Sequence, residues 1–248
     1  MITDASNSVV TNGNNFNYTG TYVGPKSMNF IAPAGTTTRI RVSDGSGGGL
    51  TVTASDLQLR LAEEDRSVNN KGLQVFGTVT KSAVATGADL VAYSGWNDSN
   101  YLEQPFNSAM QFGSTDDFSV AFWMKQTSPT IFSGIIDNGY NSSGNFYFLI
   151  GTDSNGKLFF RTSESSGQSD KTASTTVTGG EWKHVVCTRT GSGTQLNLFI
   201  NGALDGNSGS VTARNVTNSL NQPLMIGNRG NSTDRFFTGS LALVRVSA

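Results

Sequence analysis

Two turns in this 248-residue chain concentrate groups that could hold a ligand: Ile136-Asp137-Asn138-Gly139-Tyr140-Asn141 and Gly227-Asn228-Arg229-Gly230-Asn231-Ser232-Thr233-Asp234-Arg235. Amides, carboxylates and guanidinium groups suit the hydroxyls of a sugar, and the Tyr140 ring could lie against its apolar face. Asp137, Asn138, Tyr140, Asn228, Arg229, Asp234 and Arg235 are therefore candidate ligand-binding residues. Asp137 and Asp234 are also candidate ligands for Ca²⁺, a hard cation held by oxygens. Turn chemistry alone also places Asp and Asn at such positions. Trp96, in the loop Ser94-Gly95-Trp96-Asn97-Asp98, reads as an exposed ring that could stack on a sugar or pack on a partner subunit.

Catalytic patterns are missing. Glycosidic hydrolysis needs two carboxylates facing one groove. Glu63-Glu64-Asp65 are adjacent, Glu103, Glu164 and Glu181 stand alone, and no Glu-x-Asp-x-Glu run occurs. His184 is the only histidine, two residues from Trp182, and reads as a packed strand residue. Cys187 alternates with Val185 and should face the core as a small hydrophobe. Trp123 and Trp182 sit among apolar neighbours and are expected in the core. No enzyme is expected here.

The elements that must position these residues are strands. No long segment repeats apolar residues at helical spacing, whereas alternation with period two is common. Glycine numbers 29 of 248 residues, about 12% against an average of about 7%, and Asn-Gly, Asp-Gly-rich and Gly-Gly turns separate the alternating runs. Expected strands are Gly72–Thr78, Phe118–Lys125, Thr130–Asp137, Phe146–Thr152, Lys157–Thr162, Trp182–Thr190, Gln195–Ile200, Leu224–Ile226 and Ser240–Val246. Upstream, Thr38–Val42, Leu50–Thr53 and Leu57–Leu61 alternate similarly around the turn Asp44–Gly49. They form a small β-module over Ser27–Asp65, preceded by a polar, mobile arm. The polar stretch Glu63–Lys71 marks a boundary, so the expected domains are 1–70 and 71–248. The fold class is all-β, of sandwich or jelly-roll type.

Charge excludes some partners. Seventeen basic against eighteen acidic residues leave a net −1, which argues against nucleic acid. No apolar run is long enough to insert in a membrane as a helix. One cysteine allows no internal disulfide. The first residues, lacking a basic and an apolar region, are expected to carry no signal peptide.

Three motifs carry a resemblance. Asp117-Phe118-Ser119-Val120-Ala121-Phe122-Trp123-Met124-Lys125 is the first. Gly180-Glu181-Trp182-Lys183-His184-Val185-Val186 with Leu196-Asn197-Leu198-Phe199-Ile200-Asn201-Gly202 is the second. Leu224-Met225-Ile226-Gly227, Phe237-Thr238-Gly239-Ser240-Leu241 and Val244-Arg245-Val246 form the third. In this order they resemble laminin-G-like domains of the concanavalin A-like lectin/glucanase superfamily, over about residues 70 to 248. The resemblance implies a concanavalin A-like jelly roll, with the two Asp/Asn-rich turns at its loop edge, where related domains hold Ca²⁺. Ala242 departs from it, standing where many members carry an acidic residue.

The block Ala88–Tyr93 through Asn100–Phe106 is similar to versions of this domain in bacteriophage virion proteins, especially fibre and adsorption components. That implies a non-enzymatic virion protein assembled in the host cytoplasm and displaying a lectin-like domain for host-surface glycans. Residues 1–70 would attach to other virion proteins, in a homo-oligomer for which a trimer is favoured. A purely structural decoration protein and a bacterial surface lectin are the alternatives.

Overall fold

A computed structural model describes residues 2–4, 9–11, 38–40, 62–63, 72–128, 132–139, 147–207, 209–217, 221–230 and 233–248. The chain divides into two compact units, Met1–Leu73 and Gln74–Ala248.

In the first unit the described strands are β1 (Ile2–Asp4), β2 (Val9–Thr11), β3 (Thr38–Ile40) and β4 (Ala62–Glu63). β1 pairs antiparallel with β2 through Ile2–Thr11, and with β3 through Ile2–Ile40 and Asp4–Thr38. The segment expected as a mobile arm thus supplies the central strand of a small sheet. The β-branched residues Ile2 and Thr3 of β1 fit that placement. The expected strands Leu50–Thr53 and Leu57–Leu61 and the turn Asp44–Gly49 lie outside the described residues.

The second unit holds β5 (Leu73–Phe76), β6 (Thr80–Ala83), β7 (Val91–Ser94), β8 (Tyr101–Gln104), β9 (Phe118–Gln126), β10 (Ser133–Asn138), β11 (Tyr147–Thr152), β12 (Lys157–Glu164), β13 (Gly167–Thr176), β14 (Trp182–Thr190), β15 (Gln195–Ile200), β16 (Ala203–Asn207), β17 (Leu224–Ile226) and β18 (Gly239–Ser247). A single 3₁₀ turn at Ser108–Met110 is the only helical element among the described residues of the unit. No helix of the described residues is long and apolar enough to cross a membrane.

These strands form two antiparallel sheets packed as a sandwich. One runs β13-β12-β11-β10-β17-β8-β5, the other β16-β15-β14-β9-β18-β7-β6. This is the all-β jelly-roll architecture expected. Along β9 the pattern is strict: Phe118, Val120, Phe122, Met124 and Gln126 are buried, while the residues between them are not. Val185, Cys187 and Arg189 of β14 and Leu196, Leu198 and Ile200 of β15 continue that inner face. Opposite them stand Phe148, Ile150, Phe160, Ile136, Ile226 and Leu102. The sheets meet where Phe118 packs at 5.1 Å on Phe148 and edge-on at 5.9 Å on Phe160, with Phe112 stacked at 4.4 Å on Phe118.

Five strands of the second unit were not expected: β6, β7, β8, β13 and β16. β6 is exposed at all four positions, and β13 buries only Ser169 and Ala173. Both are sheet edges, which tolerate polar residues on either face and so lose the apolar alternation. The edges β13 and β16 are tied together by Asp205, whose carboxylate accepts from Thr175 N–H at 3.0 Å and Thr175 Oγ1 at 2.7 Å. The Asn201-Gly202 turn has φ of 51° and 81°, as a tight hairpin requires.

Arg189 is fully buried, a placement the sequence did not suggest. Its Nε donates to Asp116 O at 2.8 Å, Nη1 to Arg214 O at 2.8 Å, and Nη2 to the carbonyls of Gly113 and Asp116. The guanidinium also lies 4.8 Å from the Phe118 ring centroid. Burial pulls its pKa down to about 10 against the opposing field of Asp116 and Asp117. One side chain therefore ties down the loops entering β9 and following β16.

Candidate functional site

Cross-strand pairing sets one row of side chains across the first sheet: Gln74, Glu103, Met225, Asp137, Leu149, Arg161 and Asp170. Their sequence neighbours Leu102, Ile226, Ile136, Ile150 and Phe160 face the core, so this row points away from it. Glu103 and Asp137 stand two strands apart, roughly 10 Å between backbones.

Around the middle of that row lies a cleft of about 200 Å³ lined by Tyr101, Glu103, Asp137, Gln222, Pro223, Met225 and Gly230. Asp137 is 1% exposed, and its Oδ2 accepts from Gly230 N–H at 2.9 Å, which fastens the loop after β17 to the sheet. Glu103 is half-buried. The Tyr101 ring stacks on Phe76 at 4.5 Å and 12°, so its orientation is fixed before any ligand arrives. Met225 pairs with both carboxylate residues and sets an apolar side chain between them.

Beyond Asp137 the same face carries an aromatic cluster. Tyr147, Leu149 and Phe159 are buried there, with Phe132 packed against them. The Arg161 guanidinium lies over Phe132 and Phe159, at 5.9 and 5.8 Å from their centroids, and is ion-paired with Asp170 at 3.7 Å. This cover on the outer face explains why every residue of β10 and β11 is buried.

The structure distributes the sequence candidates unevenly. Asp137 lines the cleft. Asn138 is buried and donates from Nδ2 to Met110 O at 3.1 Å. Asn228, also buried, donates to Asn97 O at 3.4 Å and accepts from Arg229 N–H at 2.7 Å. Arg229 lies against Gly134, where an added Cβ would sit 2.8 Å from the arginine Cβ. Asp234 and Arg235 form an ion pair at 3.8 Å in an exposed turn. Tyr140 lies outside the described residues.

The tryptophans require corrections. Trp96, expected to be exposed, is 5% exposed. Its Nε1 donates to Gly239 O at 3.1 Å, and its ring fills the space beside Gly227, where a Cβ would fall 2.1 Å from the ring. Gly227 has φ of 85°, so loop conformation and ring contact both demand glycine. Trp123, expected in the core, is 39% exposed, and Trp182 is half-buried. Both point outward on the second sheet because their neighbours Phe122, Met124 and Val185 face in. The His184 ring rests 5.1 Å from that of Trp123. Cys187 is buried as expected, and burial pushes its thiol far above its ordinary pKa.

Calcium does not fit the described residues. A Ca²⁺ site takes six to eight oxygens, but no group of three or more His, Cys, Asp or Glu side chains gathers among them. Asp137 is hydrogen-bonded to Gly230, and Asp234 pairs with Arg235.

Sequence reasoning missed Tyr101, Glu103, Gln222 and Met225. The signal was present in Tyr101-Leu102-Glu103, an alternating run whose carboxylate shares a face with the tyrosine. Only cross-strand register brings it to Asp137.

The model of the concanavalin A-like lectin/glucanases superfamily matches residues 97–248. Among solved structures, the chain is similar to the binding domain of Paraclostridial Mosquitocidal Protein 1, with 21% identity and a TM-score of 0.59, over 74% of this chain and 45% of that one. It is similar to domain 4 of AbnA, a GH43 extracellular arabinanase from Geobacillus stearothermophilus in complex with arabinotriose, with 17% identity and a TM-score of 0.53, over 73% and 84%. A structure of botulinum neurotoxin type C is similar at 13% identity and a TM-score of 0.54, over 76% and 47%. The chain thus spans about half the length of the two toxin chains it matches. At these identities the likeness is one of fold. No curated protein matches the sequence.

Proposed function

Because this chain belongs to the concanavalin A-like lectin/glucanases superfamily, we propose that it is a non-enzymatic glycan-binding protein whose second unit recognises host-surface sugars from a bacteriophage virion. The observation that carries the binding reading is the cleft on the outer face of the first sheet. A fixed tyrosine ring, an apolar methionine, two carboxylates and an amide converge there, the mixture that sugar recognition uses. The fold is one on which the arabinanase domain holds arabinotriose. The virion setting rests on the resemblance of the Ala88–Phe106 block to phage fibre and adsorption proteins, a block that itself contains Tyr101 and Glu103.

Residues 1–70 would attach the protein to other virion components, in a homo-oligomer for which a trimer is favoured. Asn138, Asn228 and Trp96 support the cleft from behind rather than touching a ligand. The test is a glycan array probed with the full chain and with Tyr101→Ala. Retained glycans whose binding falls at least tenfold in the variant, with melting unchanged, carry the reading. A bare array removes it in favour of a purely structural decoration role. Release of reducing ends from a bound glycan, abolished in Glu103→Gln, would make the protein a hydrolase.

A further inference from the structure

We propose that the open outer face of the second sheet is a docking surface for another protein, one whose contact region is apolar and ringed by carboxylates. This goes beyond the glycan reading and does not depend on it. Cross-strand pairing arranges the face in rows. One runs Leu204, Phe199, Val186, Ala121 and Arg245 over five strands, from β16 to β18, about 19 Å across. The next holds His184, Trp123 and Ala242, and the one after it Trp182, Lys125 and Ser240. Trp123 and Leu204 are exposed, and Phe199, Val186 and Ala121 are half-buried. The His184 ring rests 5.1 Å from that of Trp123 and steadies it. Apolar groups gathered across a surface in this way mark an interaction site.

The margin of the patch is strained. Between the pairs Ala242–Trp123 and Arg245–Ala121, β18 sets two residues, Leu243 and Val244, against the single Phe122 of β9, which is a bulge. Leu243 has φ of 51° there and is more than half exposed. Glycine suits such a left-handed position, and a leucine strains it. So exposed a side chain gains little burial to offset that strain, so its use lies outside the fold.

Charge identifies the kind of partner. Lys125 and Arg245 stand in the rows on either side of Trp123, roughly 13 Å apart along β9. Among the described residues neither has an ion pair, and Arg245 Nε donates to Ser247 Oγ at 2.9 Å. No residue of the three rows is acidic, and Glu181, next to Trp182, is held by Lys183 at 3.7 Å. Tryptophan and arginine are the side chains that most often anchor protein interfaces. Cations without carboxylates beside them are complemented by acidic groups opposite. A second copy docked face to face would set these cations against the same cations. A different, acidic protein fits.

The experiment selects a random-peptide library on the full protein in about 50 mM NaCl, then re-measures each enriched peptide in about 500 mM NaCl and on three variants. Enriched peptides should combine Asp or Glu with aromatic or aliphatic residues and weaken at high salt. They should bind at least tenfold more weakly to Trp123→Ala and to Arg245→Glu. Leu243→Gly should also weaken them while melting no lower than the parent, a combination that a leucine serving only the fold would not give. Neutral or basic peptides would overturn the acidic partner. No enrichment, or peptides held equally by parent and variants, would overturn the docking surface. Sedimentation is run beside the selection, and an oligomer lost in Trp123→Ala would make the face a contact between copies. Phosphatidylglycerol vesicles bound by the parent and not by Trp123→Ala, without peptide enrichment, would make it a membrane contact. Either result overturns the proposal. Peptide composition and salt response need no variant, so a substitution that fails to fold still leaves the proposal open to refutation.

Discussion

The two outer faces of the sandwich come from the same alternating rule and end as opposites. On the first sheet the outward row runs through Glu103, Met225 and Asp137 into the covered cluster of Leu149, Tyr147 and Phe159. On the second, outward rows run through Trp123 and His184, and through Arg245, Ala121, Val186, Phe199 and Leu204. Among the described residues, the three large hydrophobic side chains that are exposed, Trp123, Leu204 and Leu243, all belong to the second sheet. Its rows carry Lys125 and Arg245 and no carboxylate. Aromatic content therefore identifies neither core nor site. What distinguishes the faces is cover. Loops close over the first face and leave a cleft between carboxylates, while the second lies open.

The comparison can be broken from the inside outward. Arg189→Ala should have the largest effect, about 3–5 kcal/mol, because it strands several buried carbonyls and opens a cavity. Arg189→Met should restore packing but recover only part of the loss. Chemical denaturation checks this, and a cost below 1 kcal/mol would mean water reaches those carbonyls. Along β9, Phe122→Ala should cost about 3–5 kcal/mol, since its side chain is fully buried. The adjacent Trp123→Ala should cost about 1 kcal/mol or less and leave glycan binding intact. Equal costs would show that both sides of β9 are enclosed, and loss of binding in Trp123→Ala would move the site to the open face.

On the cleft side, Asp137→Ala should cost about 1–3 kcal/mol by leaving the buried Gly230 N–H without its acceptor. Thermal melts should show the same cost with millimolar Ca²⁺ as with chelator. Stabilisation by Ca²⁺ that vanishes in the variant would restore the metal reading. The smallest effect concerns pH. The Asn215 N–H, then Ser166, with Arg214 at 3.3 Å, hold the Glu164 carboxyl below its ordinary value of 4.5. A depressed folded pKa stabilises above the unfolded value, and the contribution is lost as pH falls through the folded one. Glu164→Gln should therefore close part of the gap in melting temperature between about pH 6 and pH 3. Parallel curves for the two proteins would show that the carboxylate contributes nothing.

The strands most legible in the sequence were those with one buried and one open face. β14, β15 and β17 fall at their expected limits, because alternation marks such strands clearly. Polar edges left no such mark, which is why β6 and β13 were missed. Within β9 the pattern was read but its phase was not used. Phe122 and Met124 being inward already obliges Trp123 to point outward. For the site, local chemistry singled out Asp137, but Asn138 and Asn228 proved to be internal braces of the same turns.

By itself the sequence determined the class of fold, the turns and the near absence of net charge, because period-two alternation, glycine positions and residue counts are local properties. Tertiary structure alone decided which carboxylates share a cleft. Glu103 and Asp137 lie far apart in the chain and come to line one cleft from either side of β17, whose Met225 pairs with both. It also decided that Trp96 is a buried wedge, since the ring fits only because a glycine with φ of 85° approaches it from a distant loop. Pairing register and the cover supplied by distant loops are long-range properties, and no local pattern encodes them.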